Sequence, residues 1–338
     1  MTVSTGVGSW PGADAGEYAE AIRVVLGEVP DLPYLPEFPG RGAEAGLVGR
    51  TLATIGDLGF DLQPSGWRLT DTPGIDHRRA RSLLGQDLDA LEEQAQDFHG
   101  VLKVQLAGPW TLAASVEKPR GDKVLADHGA RRELAQALAE GVASHLADVR
   151  RRVAAEHVVV QLDEPALPAV LAGSIPTASG FGRHRTVHPP EAAAALGWVL
   201  EQAGTEPWVH SCARETPWAL LRDAGARGLS GDLAVLGADD LDAFAEALEA
   251  GERVALGVVP AVDPEPDPTE KALTERVLRL LDVLGLDPDS ASGQLVITPA
   301  CGLAGATPDW ARRATELCRA IAQELSGGAT PAPPSRVG

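Results

Sequence analysis

His210 and Cys212 lie two residues apart in VHSCARE, where an apolar run ends, and Cys301 follows a second apolar run, QLVITPA. Imidazole and thiolates are the ligand types of a soft divalent metal, zinc above all. Residues i and i+2 of a strand point to the same face, so His210 and Cys212 can bind one ion with no turn between them. The alternative is a buried cysteine beside a histidine satisfied by hydrogen bonds; the second cysteine at another strand end favours metal. Structural zinc takes four protein ligands, whereas catalytic zinc takes three and keeps a position open. Asp232, within the run GLSGDLAVL, is the acidic candidate for the fourth position, because a buried carboxylate needs a cation or hydrogen-bond donors. Acceptance from backbone or from an arginine is its competing role. Cys318 falls at helical spacing in ATELCRAIAQEL and is assigned to packing.

The elements that must carry these residues follow from the period of the apolar positions. Eight short apolar runs, 5 to 9, 32 to 37, 101 to 109, 158 to 165, 206 to 212, 228 to 236, 253 to 260 and 294 to 302, alternate with stretches of helical period. The helical stretches are 16 to 27, 43 to 57, 76 to 98, 129 to 155, 189 to 203, 216 to 225, 239 to 250, 269 to 284 and 308 to 325. Eight strands alternating with helices predict a single-domain (β/α)8 TIM barrel over residues 1–325, with an open doubly wound sheet as the alternative. The low-complexity segment from Ser326 to 338 reads as a disordered tail. In a barrel the strand ends converge on one mouth, so Ser9, Glu37, Asp163, Glu164, His210, Cys212 and Cys301 should meet there.

Composition bounds the partners. The 338 residues carry a net charge of −19, which excludes a surface built for nucleic acid or an anionic membrane. There is no secretory start and no apolar run long enough to span a bilayer, so a soluble cytoplasmic enzyme is expected, with its thiols reduced. In VVVQLDEPAL one of the adjacent carboxylates should face the mouth. Asp163 is assigned there to bind a cationic group, against a competing role as a helix cap. The turn GVGSWPG lacks the spacing of a dinucleotide loop, but its backbone and the Ser9 hydroxyl suit a carboxylate. His184 and His188 read as solvated loop residues.

Together GVGSWPG, QLAGPWTL, VVVQLDEPAL, VHSC and PACGL resemble the C-terminal catalytic barrel of the cobalamin-independent methionine synthase family, from residue 6 to about 325. The resemblance implies that zinc on His210, Cys212 and Cys301 activates the homocysteine thiol for methylation to methionine. Asp232 is the nearest match to the family's remaining ligand, a glutamate. Ser9 would hold the substrate carboxylate, and Glu37 and Asp163 its ammonium. Three departures fall on the folate side: no N-terminal barrel, Ser115 where a tryptophan is expected against the pterin, and Val262 where the acid histidine is expected. They point to a methylcorrinoid or corrinoid protein as donor in place of methyltetrahydrofolate. The alternatives are a zinc-dependent alkyl-thiol transferase with another thiol or corrinoid substrate, and a barrel that holds zinc without catalysis.

Overall fold

The computed structural model describes residues 1–327. The segment expected to be a disordered tail lies outside the described residues from 328 onward, while Ser326 is tied to Thr2, whose backbone N–H donates to the serine Oγ at 2.9 Å. Seven strands form one parallel sheet: β1 (Val3–Ser4), β4 (Val101–Ala107), β5 (His157–Asp163), β6 (Trp208–Ser211), β7 (Gly228–Asp232), β8 (Arg253–Val259) and β9 (Leu295–Pro299), in the order β1-β9-β8-β7-β6-β5-β4. Two further strands, β2 (Gly59–Gln63) and β3 (Gly66–Thr70), pair as an antiparallel hairpin. The sequence reading had not placed this hairpin, although Gly66, at a φ of 120°, marks its turn.

Two of the eight expected strands do not form as regular strands. The run 5 to 9 is not a regular strand: ladder pairing with β9 covers Val3 and Ser4, Thr5 N–H still donates to Ile297 O at 3.0 Å, and beyond it Ser9 makes only an isolated bridge. The run 32 to 37 makes only isolated parallel bridges, Tyr34 with Lys103 on one side and Glu37 with Ser9 on the other. Pro33 and Pro36 explain this, since each removes a backbone donor from the segment. Its remaining groups still reach both edges of the sheet: Leu35 N–H donates to Lys103 O at 3.0 Å and Glu37 N–H donates to Gly8 O at 3.1 Å.

The helices cover the other expectations closely. Helix Ala15–Glu28 starts at a capping box made by Asp14 and Glu17, and helices Glu270–Val283 and Pro308–Leu325 start at the capping hydroxyls of Thr269 and Thr307. Their apolar stripes form one large core with the outward residues of the strands. A second, smaller cluster unites Leu32, Val159, Trp208, Ala255 and Val296, and so brings together strands that are not neighbours in the sheet. The sheet therefore curls around this cluster, which floors its concave side. Gly228 makes the floor possible, because a Cβ there would stand 2.2 Å from the Trp208 ring. Among the described residues no helix is long and apolar enough to cross a membrane.

Candidate metal centre and amino-acid pocket

At the C-terminal ends of β6 and β9 the sheet delivers three soft donors to one point. The ligating atoms of His210, Cys212 and Cys301 all lie within 4.8 Å of one another, and the two sulfurs are 3.2 Å apart. His210 Nδ1 meets Ser230 Oγ at 2.9 Å, while its Nε2 is buried with no hydrogen-bond partner. An outer hydrogen bond on one ring nitrogen and a bare lone pair on the other is how metal-binding histidines are held. The Cys301 thiol and His210 hold Cys212 well below the usual thiol range, and the Cys212 charge in turn pushes Cys301 up. A tetrahedral zinc with Zn–S of 2.3 Å needs its sulfurs ~3.8 Å apart, a small opening from the separation seen. The donor set fits zinc.

Asp232 does not join this cluster. The run 228 to 236 was expected to be strand throughout, but β7 stops at Asp232, whose Oδ1 turns back to accept from Ala234 N–H at 2.8 Å. Register gives the reason. His210 pairs with Ser230 across β6 and β7, so Ser230 is the β7 side chain that meets the imidazole. The local turn satisfies the Asp232 carboxylate without a cation. Cys318 is fully buried in helix Pro308–Leu325 and lies outside the cluster, as assigned.

Beside the thiols a small cavity is lined by Val7, Ser9, Glu37, Asp163, His210, Cys212 and Cys301, among others. The sequence-assigned residues therefore meet, with the exception of Asp232. Asp163 and Glu164 divide as adjacent strand residues must. Asp163 faces the cavity, and Glu164 turns away to accept from the N–H groups of Trp110 and Thr111, both at 2.9 Å, at the start of helix Pro109–Ser115. The next helix, Leu167–Leu171, has no side-chain cap, so the capping role considered for Asp163 is not seen, and Glu164 instead serves the earlier helix Pro109–Ser115. Glu37 is 4% exposed and takes Gln105 Nε2 at 3.1 Å, with Arg50 Nε 3.9 Å away. Burial pushes Glu37 up to about 7 against the pull of Arg50, and burial also raises Asp163. Two desolvated carboxylates on one cavity make a site for a cation. Next to Glu37, with which it forms a parallel bridge, Ser9 accepts through Oγ from Ala304 N–H at 3.3 Å, and a Cβ on Gly302 would stand 2.1 Å from that oxygen. Only a glycine lets the 301 to 304 turn close on Ser9.

Several buried polar residues around this cavity were missed. Lys103 is fully buried and donates to Val7 O and Gln161 Oε1, each at 3.0 Å. Gln105 and Gln161 stand beneath Glu37 and Asp163, and Arg41 and Arg50 converge on Asp87. Lysine inside the apolar run VLKVQLA was a legible signal. His184, read as solvated, is instead 7% exposed with Nε2 3.0 Å from Asp122 Oδ1, whereas His188 is exposed at the start of helix Pro189–Gln202. On the donor side, Ser115 ends helix Pro109–Ser115 and Val262 is 56% exposed in the loop after β8.

Comparisons with known proteins bear on the family and the fold. The family model described as cobalamin-independent synthase, catalytic domain, matches residues 101–324, a span that includes all three metal-binding candidates. The structure of a B12-independent methionine synthase from Shewanella sp. W3-18-1 in complex with selenomethionine superposes with a TM-score of 0.62 at 13% identity, covering 97% of this chain and 98% of that one. A comparison with curated protein sequences finds no match. The corrinoid donor expected from Ser115 and Val262 runs against a family described as cobalamin-independent. With the match extending over most of its length, the chain belongs to the cobalamin-independent synthase family and is a methyltransferase of that family.

Proposed function

We propose that the protein makes methionine by carrying a methyl group onto the sulfur of homocysteine, at a zinc ion held by His210, Cys212 and Cys301. The carrying observation is His210 Nε2, buried and without a partner among the described residues, aimed at the point where the two thiols meet. Zinc there would supply a cation that favours the thiolate form of a thiol near neutral pH. Three protein donors leave room for the substrate sulfur. Asp232 remains in its turn.

The chain's own residues do the rest. Glu37 and Asp163 hold the homocysteine ammonium, and the Ser9 hydroxyl with the adjoining turn holds its carboxylate. Anchoring the amino-acid end fixes the direction in which the sulfur points, so an incoming methyl group meets it in line. The cavity walls, Val7, Leu47 and Pro165, keep water from the sulfur. In this reading the segment 32 to 37 closes the sheet into a (β/α)8 barrel over residues 1–325, and the enzyme works in the cytoplasm, where its thiols stay reduced.

The donor proposed is methyltetrahydrofolate, in line with the family. Its departing nitrogen must be protonated, and Val262 supplies no proton, so turnover is expected to fall by about 10²–10⁴ from that of an enzyme with a positioned acid. Metal analysis combined with methionine formation from homocysteine tests the whole. One zinc per chain and methionine from methyltetrahydrofolate mono- or triglutamate are expected. Turnover with methylcobalamin alone would return the donor to a corrinoid, and no methionine from zinc-loaded protein with any donor would overturn the reading.

A further inference from the structure

Lys103 is a fully buried ammonium with no carboxylate within ion-pair distance among the described residues. A buried charge without a partner is costly, and a lysine that packed a core would be better replaced by an apolar side chain of its length. Two of its three protons have defined acceptors. One goes to Val7 O and one to Gln161 Oε1, both at 3.0 Å, and the ammonium stands 5.4 Å from the centre of the Tyr34 ring.

The bond to Gln161 carries information. A lysine can only donate, so the Gln161 amide must turn its oxygen to Lys103 and its NH2 to the other side. That NH2 then donates to Val7 O at 3.0 Å and to Asp163 Oδ1 at 2.7 Å. β4 and β5 set the geometry. Gln105 pairs with Gln161 and Ala107 with Asp163, so Lys103 stands one inward position below the glutamines, and Asp163 one above. Oδ1 of Asp163 is thereby occupied, which leaves Oδ2 for a ligand.

We propose that Lys103 is the positioning residue of the ammonium subsite: through Gln161 it fixes Asp163 so that one oxygen faces the amino group of the substrate. The inference rests on the proposed homocysteine site. The buried charge of Lys103 also offsets the two carboxylates, Glu37 and Asp163, that face the cavity. Lys103 touches no ligand, so its loss acts on how tightly the amino group is held and leaves the sulfur end alone.

The test compares homocysteine with 4-mercaptobutanoate, which keeps thiol and carboxylate and lacks the amino group, by calorimetry on zinc-loaded protein. The natural chain should prefer homocysteine; equal binding of the two would refute the ammonium subsite itself, and with it this part of the proposed function. Lys103→Met should weaken homocysteine by about 10–100-fold, the size of effect that losing an outer partner has at metal sites, with 4-mercaptobutanoate and zinc content unchanged. Gln161→Glu is the second variant, should Lys103→Met fail to fold: it keeps shape and gains an ion pair with Lys103, but presents Asp163 with a repelling oxygen. It should lose the same preference. Full preference retained in the folded variants would overturn the proposal, as would an equal loss for both ligands, the mark of a merely structural role.

Discussion

Replacing Glu37 by Gln should make the protein more stable and less able to bind its substrate, and the two effects should separate with pH. Glu37 is fully buried, and desolvation pushes its carboxyl from the ordinary 4.5 up to about 7, although Arg50 and Gln105 pull the other way. The folded chain therefore holds this proton more tightly than the unfolded chain. Stability contributed by the neutral form is complete below pH 4.5, declines as pH rises, and is lost above about 7. At about 1.4 kcal/mol per pH unit, the loss over that interval is about 3 kcal/mol. Gln keeps the shape and the acceptor for Gln105 but has no proton to release, so the variant escapes the decline. Urea denaturation of zinc-free protein in chelator, from pH 5 to pH 8, should show the variant gaining on the natural chain as pH rises. Over the same range homocysteine affinity of the natural chain should rise, and the variant should lose roughly 2–5 kcal/mol of binding at pH 8, the typical effect of deleting one member of a desolvated charge pair. A stability difference that does not change with pH would refute the burial argument, and homocysteine binding at natural strength in Glu37→Gln would remove this carboxylate from the site.

Other outcomes are equally specific. Cys212→Ser and Cys301→Ser should each lose zinc by metal analysis, while Cys318→Ser, whose sulfur is buried in a helix away from the cluster, should keep it. Asp232→Ala should change zinc affinity little in a competition with a chelating dye, because its carboxylate closes a turn onto Ala234; a large loss would put it back among the ligands. Gly108→Ala should destabilise the protein by about 1–3 kcal/mol in thermal or urea unfolding, since its Cβ would stand 2.2 Å from Glu164 Oε1, a buried carboxylate that also holds Thr111 Oγ1 at 2.7 Å. An unchanged stability there would show that Glu164 can move without losing those bonds.

What could be read from the sequence, and what could not, divides along the range of the forces involved. Helix Ala15–Glu28 and helix Pro308–Leu325 were legible because their capping side chains and apolar stripes are local signals. That His210, Cys212 and Cys301 come together was legible because chemistry that rare at strand ends needs no knowledge of the partner strand. Asp232 misled because the choice between it and Ser230 depends on the register of β7 against β6, which no local pattern encodes. Glu164 was hidden for the same reason, since its donors sit on a helix more than fifty positions earlier in the chain. The segment 32 to 37 could have been read better, as two prolines within six residues already forbid a regular ladder. Lys103 is the most instructive omission. The argument that singled out Asp232, a charge set in an apolar run, applies with greater force to VLKVQLA, because a strand buried on both faces has no solvated side on which to leave an ammonium. Burial of that lysine called for acceptors on the concave face of the sheet, which Val7 O and Gln161 Oε1 supply, and the carboxylates facing that space, Glu37 and Asp163, are the ones the candidate substrate site needs.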